Sequence, residues 1–478
     1  MAGSFNATPT FAIQPSAKPQ ATSANYLSLA FASQYLPDVY EKEFERYGNR
    51  SVASFLRMVG AELPSASDTV QWAEQGRLHI KYTNVAVTTV TNGQITLTVN
   101  DTGITNASVR VGQTVMIQNN AAAAQTNKGI VTAVSGQVVT VGIYEATMAI
   151  VAATTCTIWI YGSEFKKGTN GMVGSLESED SYFSNNPIII KDNYTINGSD
   201  MAQISWVEVT SENGATGYLW YLKSQSDTRQ RFDDYLETTM IEAVPAAGNL
   251  TNGAFNLGFK GSEGVFHAVN NRGNVWGTGT PTALSEWDLI VARLDRQGAI
   301  EENVLFVNRG FSFDIDNMLA GLNGLGTAAT GGTAPSQGAS FGLFDNDVNM
   351  ALNLGFSGFR RGYDFYKSDW KYLNDPTMRG NLNTTVAAAN TGTINGLLVP
   401  AGTTSVYDQV MGKNAKRPFL HVRYRASEAE DRRYKTWVTG GAGGATTSDL
   451  DAMQVNFLSE RCVCVLGANN FVLFRFGT

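Results

Sequence analysis

Between residues 85 and 99 the chain alternates β-branched and small polar side chains: Val-Ala-Val-Thr-Thr-Val-Thr-Asn-Gly-Gln-Ile-Thr-Leu-Thr-Val. Period-two alternation predicts half-buried strands, and Asn92-Gly93 between the two runs predicts a tight hairpin. Further short strands are expected at 114–118, 129–135, 138–143 and 157–161. Between 84 and 160 only Asp101, Arg110, Lys128 and Glu145 are charged. So many short strands in one low-charge stretch fit a small barrel or sandwich, which makes 84–160 an inserted β domain. Its flanks, 72–83 and 161–197, would form a long two-stranded excursion that carries it.

A helical period takes over at 216–243. Leu219, Leu222, Phe232, Leu236, Met240 and Ala243 keep near-helical spacing, and Arg229/Asp233 and Asp227/Arg231 stand four apart. Pro245 and Gly248 end this stretch. A second helix is expected at 285–297, capped by Ser285 with Glu286 in its first turn, and closed by Arg293, Arg296 and Gly298. A shorter helical stretch follows Pro37, breaks at Gly48, and buries Phe55, Met58 and Val59. Later elements are a strand at 304–308 and a short helix at 316–322. Residues 323–340 carry no charge and form a loop. Strands are expected at 348–356, 362–370, 396–399, 419–424, 435–438 and 450–457. Two final strands, 462–466 and 471–476, should pair and close a sheet begun much earlier.

Composition narrows the class. In 478 residues the charged fraction is 16%, the hydrophobic fraction 43%, and the net charge −7. A usual charged fraction is about 25%, and interface cores are where charge is depleted. Residues 1–35 hold one charge, Lys18, and read as an extended arm that neighbours would order. The acidic balance argues against a dedicated nucleic-acid binder. No apolar run approaches the ~20 residues of a membrane helix, and the N-terminus lacks a signal-peptide pattern. A soluble protein made in cytoplasm is expected.

Candidate chemistry is sparse. Cys156, Cys462 and Cys464 make neither a disulfide framework nor a four-cysteine zinc site, and His79, His267 and His421 lie far apart. Gly440-Gly-Ala-Gly-Gly lacks the Lys-Ser/Thr ending of a phosphate loop. Asp314-Ile-Asp-Asn and Asp345-Asn-Asp lack the Gly and closing Glu of a calcium loop, and read as capping or turn residues. Glu177, Glu179 and Asp180 read as a solvated loop, and Gly261-Ser-Glu-Gly is not a nucleophile elbow. Arg360-Arg-Gly-Tyr-Asp-Phe-Tyr-Lys-Ser-Asp-Trp-Lys-Tyr interleaves cations and aromatics, which suits an interface or core better than bases, because Asp364 and Asp369 dilute its charge. Arg417, His421, Arg423, Arg425, Arg432 and Arg433 form a second basic run, offset by Glu428, Glu430 and Asp431. No catalytic, cofactor-binding or metal-binding residue is assigned, and no enzyme activity is expected.

The order of parts resembles the major capsid proteins of tailed bacteriophages, the HK-97 type fold. The texture of Asp38-Val-Tyr-Glu-Lys-Glu-Phe and Phe359-Arg-Arg-Gly-Tyr-Asp-Phe-Tyr is similar to that of crAss-like phages. The resemblance implies an α+β fold with an N-terminal arm (1–35) and a helix with an E-loop-like excursion (36–83 and 161–200). Residues 84–160 would be the inserted β-barrel-like domain. The P domain with its long spine helix would be 201–298, the A domain 299–430, and 431–478 a return to the P domain. It further implies self-assembly as hexamers and pentamers of an icosahedral shell in the virion. Portal and auxiliary or head-fibre proteins would be partners, and the enclosed double-stranded DNA would be touched weakly. Lys166 and Lys167 lie where some members place a crosslinking lysine. Without a long charged helical prefix, no fused and cleaved scaffold is expected. A phage tail or fibre protein, favoured by the β-rich insert, and a carbohydrate-active protein, favoured by eight tryptophans, are the rival readings.

Overall fold

The computed structural model describes residues 61–122, 124–175, 180–202, 209–210, 216–217, 220–251, 253–322, 357–381, 393–408, 413–442, 444 and 447–476. The arm, the helix after Pro37, the 323–340 loop, the 348–356 strand, Asp345-Asn-Asp, Glu177 and Glu179 lie outside them. The chain divides into two compact units, residues 72–183 and the remainder.

Strand β1 (Ala61–Ser65) comes first, then β2 (Val70–Gln75), which pairs with β9 (Asp180–Asn185). Between them lie β3 (Lys81–Thr91), β4 (Gln94–Val99), β5 (Gln113–Asn119), β6 (Thr126–Ser135), β7 (Val138–Ile143) and β8 (Thr155–Ser163). These six close a barrel in the order β3-β4-β7-β6-β5-β8. Closure leaves no open edge, and every second side chain turns inward. Val85, Ile95, Leu97, Val115, Ile117, Val139, Val141 and Cys156 are fully buried there. The expected hairpin is present: Gly93 has φ +78°, a backbone that only glycine adopts without strain. Buried Asn127 braces the segment after β7. Its amide donates to Glu145 and to the Thr147 carbonyl (3.0 Å), and its Oδ1 accepts from the Ala149 and Ile150 N–H groups at 2.8 and 3.0 Å.

The other unit continues with β10 (Ile188–Asn197), the two-residue pair β11 (Val209–Thr210) and β12 (Thr216–Gly217), and helix α1 (Trp220–Glu242). Next come α2 (Val265–Arg272), β13 (Asn274–Trp276), α3 (Leu284–Gln297), β14 (Glu302–Val307) and α4 (Arg309–Leu322). Strands β15 (Gly358–Arg361) and β16 (Tyr363–Asp369), helix α5 (Lys371–Asn374) and β17 (Ile394–Pro400) follow. The hairpin β18 (Thr403–Asp408)–β19 (Lys413–Pro418) precedes β20 (Leu420–Arg425), β21 (Lys435–Gly440), β22 (Ala452–Val465) and β23 (Val472–Arg475).

Two larger sheets organise this unit. One runs β1-β20-β22-β10, with β21 also on β22. Helix α1 packs on it: Phe232 lies 5.8 Å from Phe457 and 5.4 Å from Tyr434, and Leu236 joins Ile196, Met453 and Val455. The second sheet runs β13-β23-β17-β14-β16-β15. Its core centres on Trp287 of α3, whose ring meets Phe359 at 4.9 Å, Phe365 at 5.2 Å and Phe474 at 5.9 Å.

Several expectations need correction. The long helix starts at Trp220, because 216–217 pair as β12. Ser285 does not cap α3; the Glu286 carboxylate accepts from the Thr282 and Ala283 N–H groups at 2.7 and 3.0 Å. Helix α4 begins at Arg309 and not 316, because Asn308 Oδ1 accepts the Phe311 N–H at 2.8 Å and so caps it. Residues 450–457 and 462–466 are one strand, β22, whose early part pairs β21 and late part β20. The last two strands do not pair with each other. The turn at Gly467–Asn470, with its 2.9 Å Asn470 N–H to Gly467 carbonyl bond, carries the chain to the second sheet, where β23 lies between β13 and β17. Helix α3 packs in the core of the second sheet, and β20 belongs to the first.

Candidate functional site

A cluster of ion pairs lies along the seam where β1 runs parallel to β20, from Ala61 opposite His421 to Ser65 opposite Arg425. This pairing joins segments some 360 residues apart, and ion pairs flank it. Glu62 meets Arg433, and Arg461 at 3.4 Å; Asp68 meets Arg425; Glu460 takes Arg432 at 2.6 Å; Glu430 takes Lys435 at 2.7 Å. Arg461 is nearly buried, with its guanidinium donating to Ser459 Oγ at 2.8 Å and to the Arg433 carbonyl at 2.9 Å. Burial holds its pKa below the usual arginine value.

A cavity of about 470 Å³ opens here, lined by Asp68, Glu430, Glu460, Arg425 and Arg432 among others. It holds acids in a cleft, yet each is tied to a cation. The hydrogen bond from Arg425 holds the Asp68 carboxyl below its ordinary range, and Lys435 does the same for Glu430. A general acid needs the opposite shift, toward neutrality. The seam's ion pairs therefore fasten strands, and the shifts on Asp68 and Glu430 run opposite to a general acid's.

The other residues singled out in the sequence have structural partners. On β16, Tyr363 and Phe365 turn inward, while on β15 Arg361 pairs bidentately with Asp288 at 2.6 and 2.8 Å and Arg360 with Asp364 at 3.0 Å. Lys367 meets Asp316 at 2.5 Å, and Asp314 accepts from Thr280 at 2.8 Å. The basic-aromatic stretch is thus core on one face and ion pairs on the other. Gly440 ends β21 with φ +128° and sits against the Ala452 carbonyl, and the next element in sequence after this glycine loop is a strand, β22. Cys462 and Cys464 are buried on β22, with His421 opposite Cys464; Cys464 and burial push the Cys462 thiol up. Lys166 and Lys167 are exposed after β8, and Asp180 is exposed at the start of β9. Among the described residues, no group of three His, Cys, Asp or Glu could hold a metal ion. No described helix is long and apolar enough to cross a membrane.

Two features escaped the sequence reading. Helix α2 is short, although Val265, Phe266, Ala268 and Val269 carried its apolar face. The loop after α1 presents Leu250, Phe255, Leu257 and Phe259 to solvent. Its signal was a charge-free run from 243 to 259 containing large apolar residues.

No protein-family model matches the chain, and no curated protein matches it. Solved structures give distant likenesses. One titled for Microbacterium phage Oxtober96 is 11% identical, with 94% of this chain and 98% of that chain covered and a TM-score of 0.39. The capsid structure of the cyanophage P-SCSP1u is 9% identical, covering 98% and 100%, with a TM-score of 0.40. A capsid of an empty GTA particle computed with C5 symmetry is 9% identical, covering 94% and 98%, with a TM-score of 0.37.

Proposed function

We propose that this chain is a major capsid protein, a structural subunit that self-assembles into an icosahedral shell around a phage genome. The observation that carries the reading is the architecture around α1. A 23-residue helix lies on a sheet built from chain segments as distant as 61–65 and 452–465, and a long excursion from that sheet carries a closed barrel. In an HK-97 type reading, α1 would be the spine and the barrel an insertion in the E-loop-like excursion. Residues 299–430 would serve as the A domain, and the crAss-like texture would narrow the source.

Surface chemistry supports the same reading. Charged residues are few, and large apolar side chains are exposed on both units, among them Tyr182 and Leu257. A shell subunit buries such surface against further copies. Carboxylates locked to cations along the β1 seam favour a fastening role over catalysis. Portal, auxiliary and DNA contacts would follow from a shell wall.

Sedimentation velocity of the purified, expressed chain tests this reading. A fast-sedimenting, particle-sized species supports it. A monomer at every concentration contradicts it, and an open-ended series of lengths would favour a tail or fibre subunit.

A further inference from the structure

The loop from Val244 to Lys260 is pinned at its base, where the Ala246 N–H donates to the Lys260 carbonyl at 2.9 Å. Within it, the N–H groups of Gly253, Asn256, Leu257, Gly258 and Phe259 all reach loop carbonyls at 2.9–3.2 Å. The Asn256 amide donates to the Leu250 and Thr251 carbonyls at 2.8 and 3.1 Å. These five N–H groups already have partners inside the loop, which lowers the hydrogen-bond cost of taking its 253–259 part out of water. Its side chains point the other way from a core: Leu257 is 70% and Phe259 66% exposed, with Leu250 and Phe255 alongside. This is a pre-formed apolar knob.

The same unit carries a groove between α3 and β13. Its volume is about 330 Å³, and its lining includes Val275, Trp276, Leu289, Ile290 and Ala292, with Arg293 and Arg296 also contributing. Leu289 is 64% exposed, so the copy's own loop does not cover the groove. A cavity of about 150 Å³ already accepts a benzene ring, so the groove has room for a phenylalanine side chain. The Arg293 guanidinium in this lining suits the face of an aromatic ring. From 243 to 259 the loop is charge-free and Lys260 stands at its base, so its apolar tip brings no carboxylate or ammonium to desolvate on the lining.

We infer that the 244–260 loop of one copy seats in the α3–β13 groove of a second copy, as a head-to-tail contact. This rests on the reading of the chain as a self-assembling subunit. Knob and groove are different surfaces, so each copy offers one of each and the contact propagates from copy to copy.

The test uses the full chain carrying both Leu257→Cys and Ala292→Cys, treated with a short bis-maleimide after assembly. Both positions are exposed, and the native cysteines Cys156, Cys462 and Cys464 are buried. The double variant should give a ladder of covalent oligomers in denaturing gels, and each single variant should not. Phe255→Ser with Leu257→Ser should keep the circular dichroism of the parent while lowering assembly yield at least tenfold. Particles that form normally but give no ladder, or a ladder that stops at dimers, overturn this contact and leave the capsid reading standing. A parent chain that never assembles overturns both.

Discussion

Arg379 donates from Nη1 to both carboxylate oxygens of Glu242, at 2.6 and 2.7 Å, across 137 residues of sequence. Glu242 ends α1, where the negative end of the helix dipole disfavours a carboxylate, so the guanidinium offsets that cost. Tyr372 donates to the same carboxylate at 2.8 Å, and its hydroxyl pKa is driven up by burial and by that charge. Arg379 also lies 5.4 Å from the ring of Phe266 on α2. One side chain thereby joins α1, α2 and the segment after α5.

Arg379→Ala should lower unfolding free energy by about 2–3 kcal/mol, since it leaves a partly buried carboxylate with only Tyr372. Glu242→Ala should cost a similar amount, and the double variant less than the sum. Denaturant titration of the three variants checks the coupling; additive losses would mean that the pair contributes nothing of its own.

Trp287 fills the centre of the second sheet's core among four aromatic rings. Trp287→Ala should destabilise by about 3–5 kcal/mol through lost burial and the cavity left behind. Trp287→Phe should recover most of that loss. Calorimetry distinguishes these, and an alanine variant that melts like the parent would contradict the packing.

Asn185 is buried with every polar atom occupied. Its amide donates to the Val463 and Glu263 carbonyls at 2.7 and 2.9 Å, and its Oδ1 accepts from the Glu263 N–H and Ser262 Oγ at 2.7 and 3.0 Å. Asn185→Leu strands these groups and should cost about 3 kcal/mol, several-fold more than Asn186→Leu at the less buried neighbouring position. Urea midpoints of the two variants give the comparison.

Acid should loosen the larger unit. Arginine or lysine partners hold the carboxyls of Asp68, Asp288 and Glu430 below their ordinary values of 3.8, 3.8 and 4.5. A depressed folded-state pKa contributes stability above the ordinary value and loses it as pH falls through the folded one. Melting temperature should therefore hold level down to about pH 5 and drop below about pH 4. These side chains are exposed, so each contribution is small. Replacing the three with Asn, Asn and Gln should flatten the acid limb; an unchanged limb would place the acid response elsewhere.

Local signals were legible in the sequence, and distant partnerships were not. Alternation with Asn92-Gly93 located the β3–β4 hairpin, and Glu286 with Arg293, Arg296 and Gly298 located α3 almost to the residue. Both depend on neighbours a few positions away. The pairing of β1 with β20, the bond from Arg379 to Glu242 and the single long β22 depend on tertiary partners that no local window contains. The interruption read into β22 at Ser459, Glu460 and Arg461 is a case in point. Ser459 and Arg461 are buried polar residues with hydrogen-bond partners, so the strand runs on through them. The loop after α1 was missed because its exposed apolar side chains follow neither a helical nor a strand period.

Electron cryo-microscopy of particles assembled from the purified chain tests the central claim most directly. The account expects closed icosahedral shells whose wall is built from copies of this fold, with α1 and the barrel recognisable in each. Tubes, fibres or dispersed monomers under conditions where the chain is folded would contradict it.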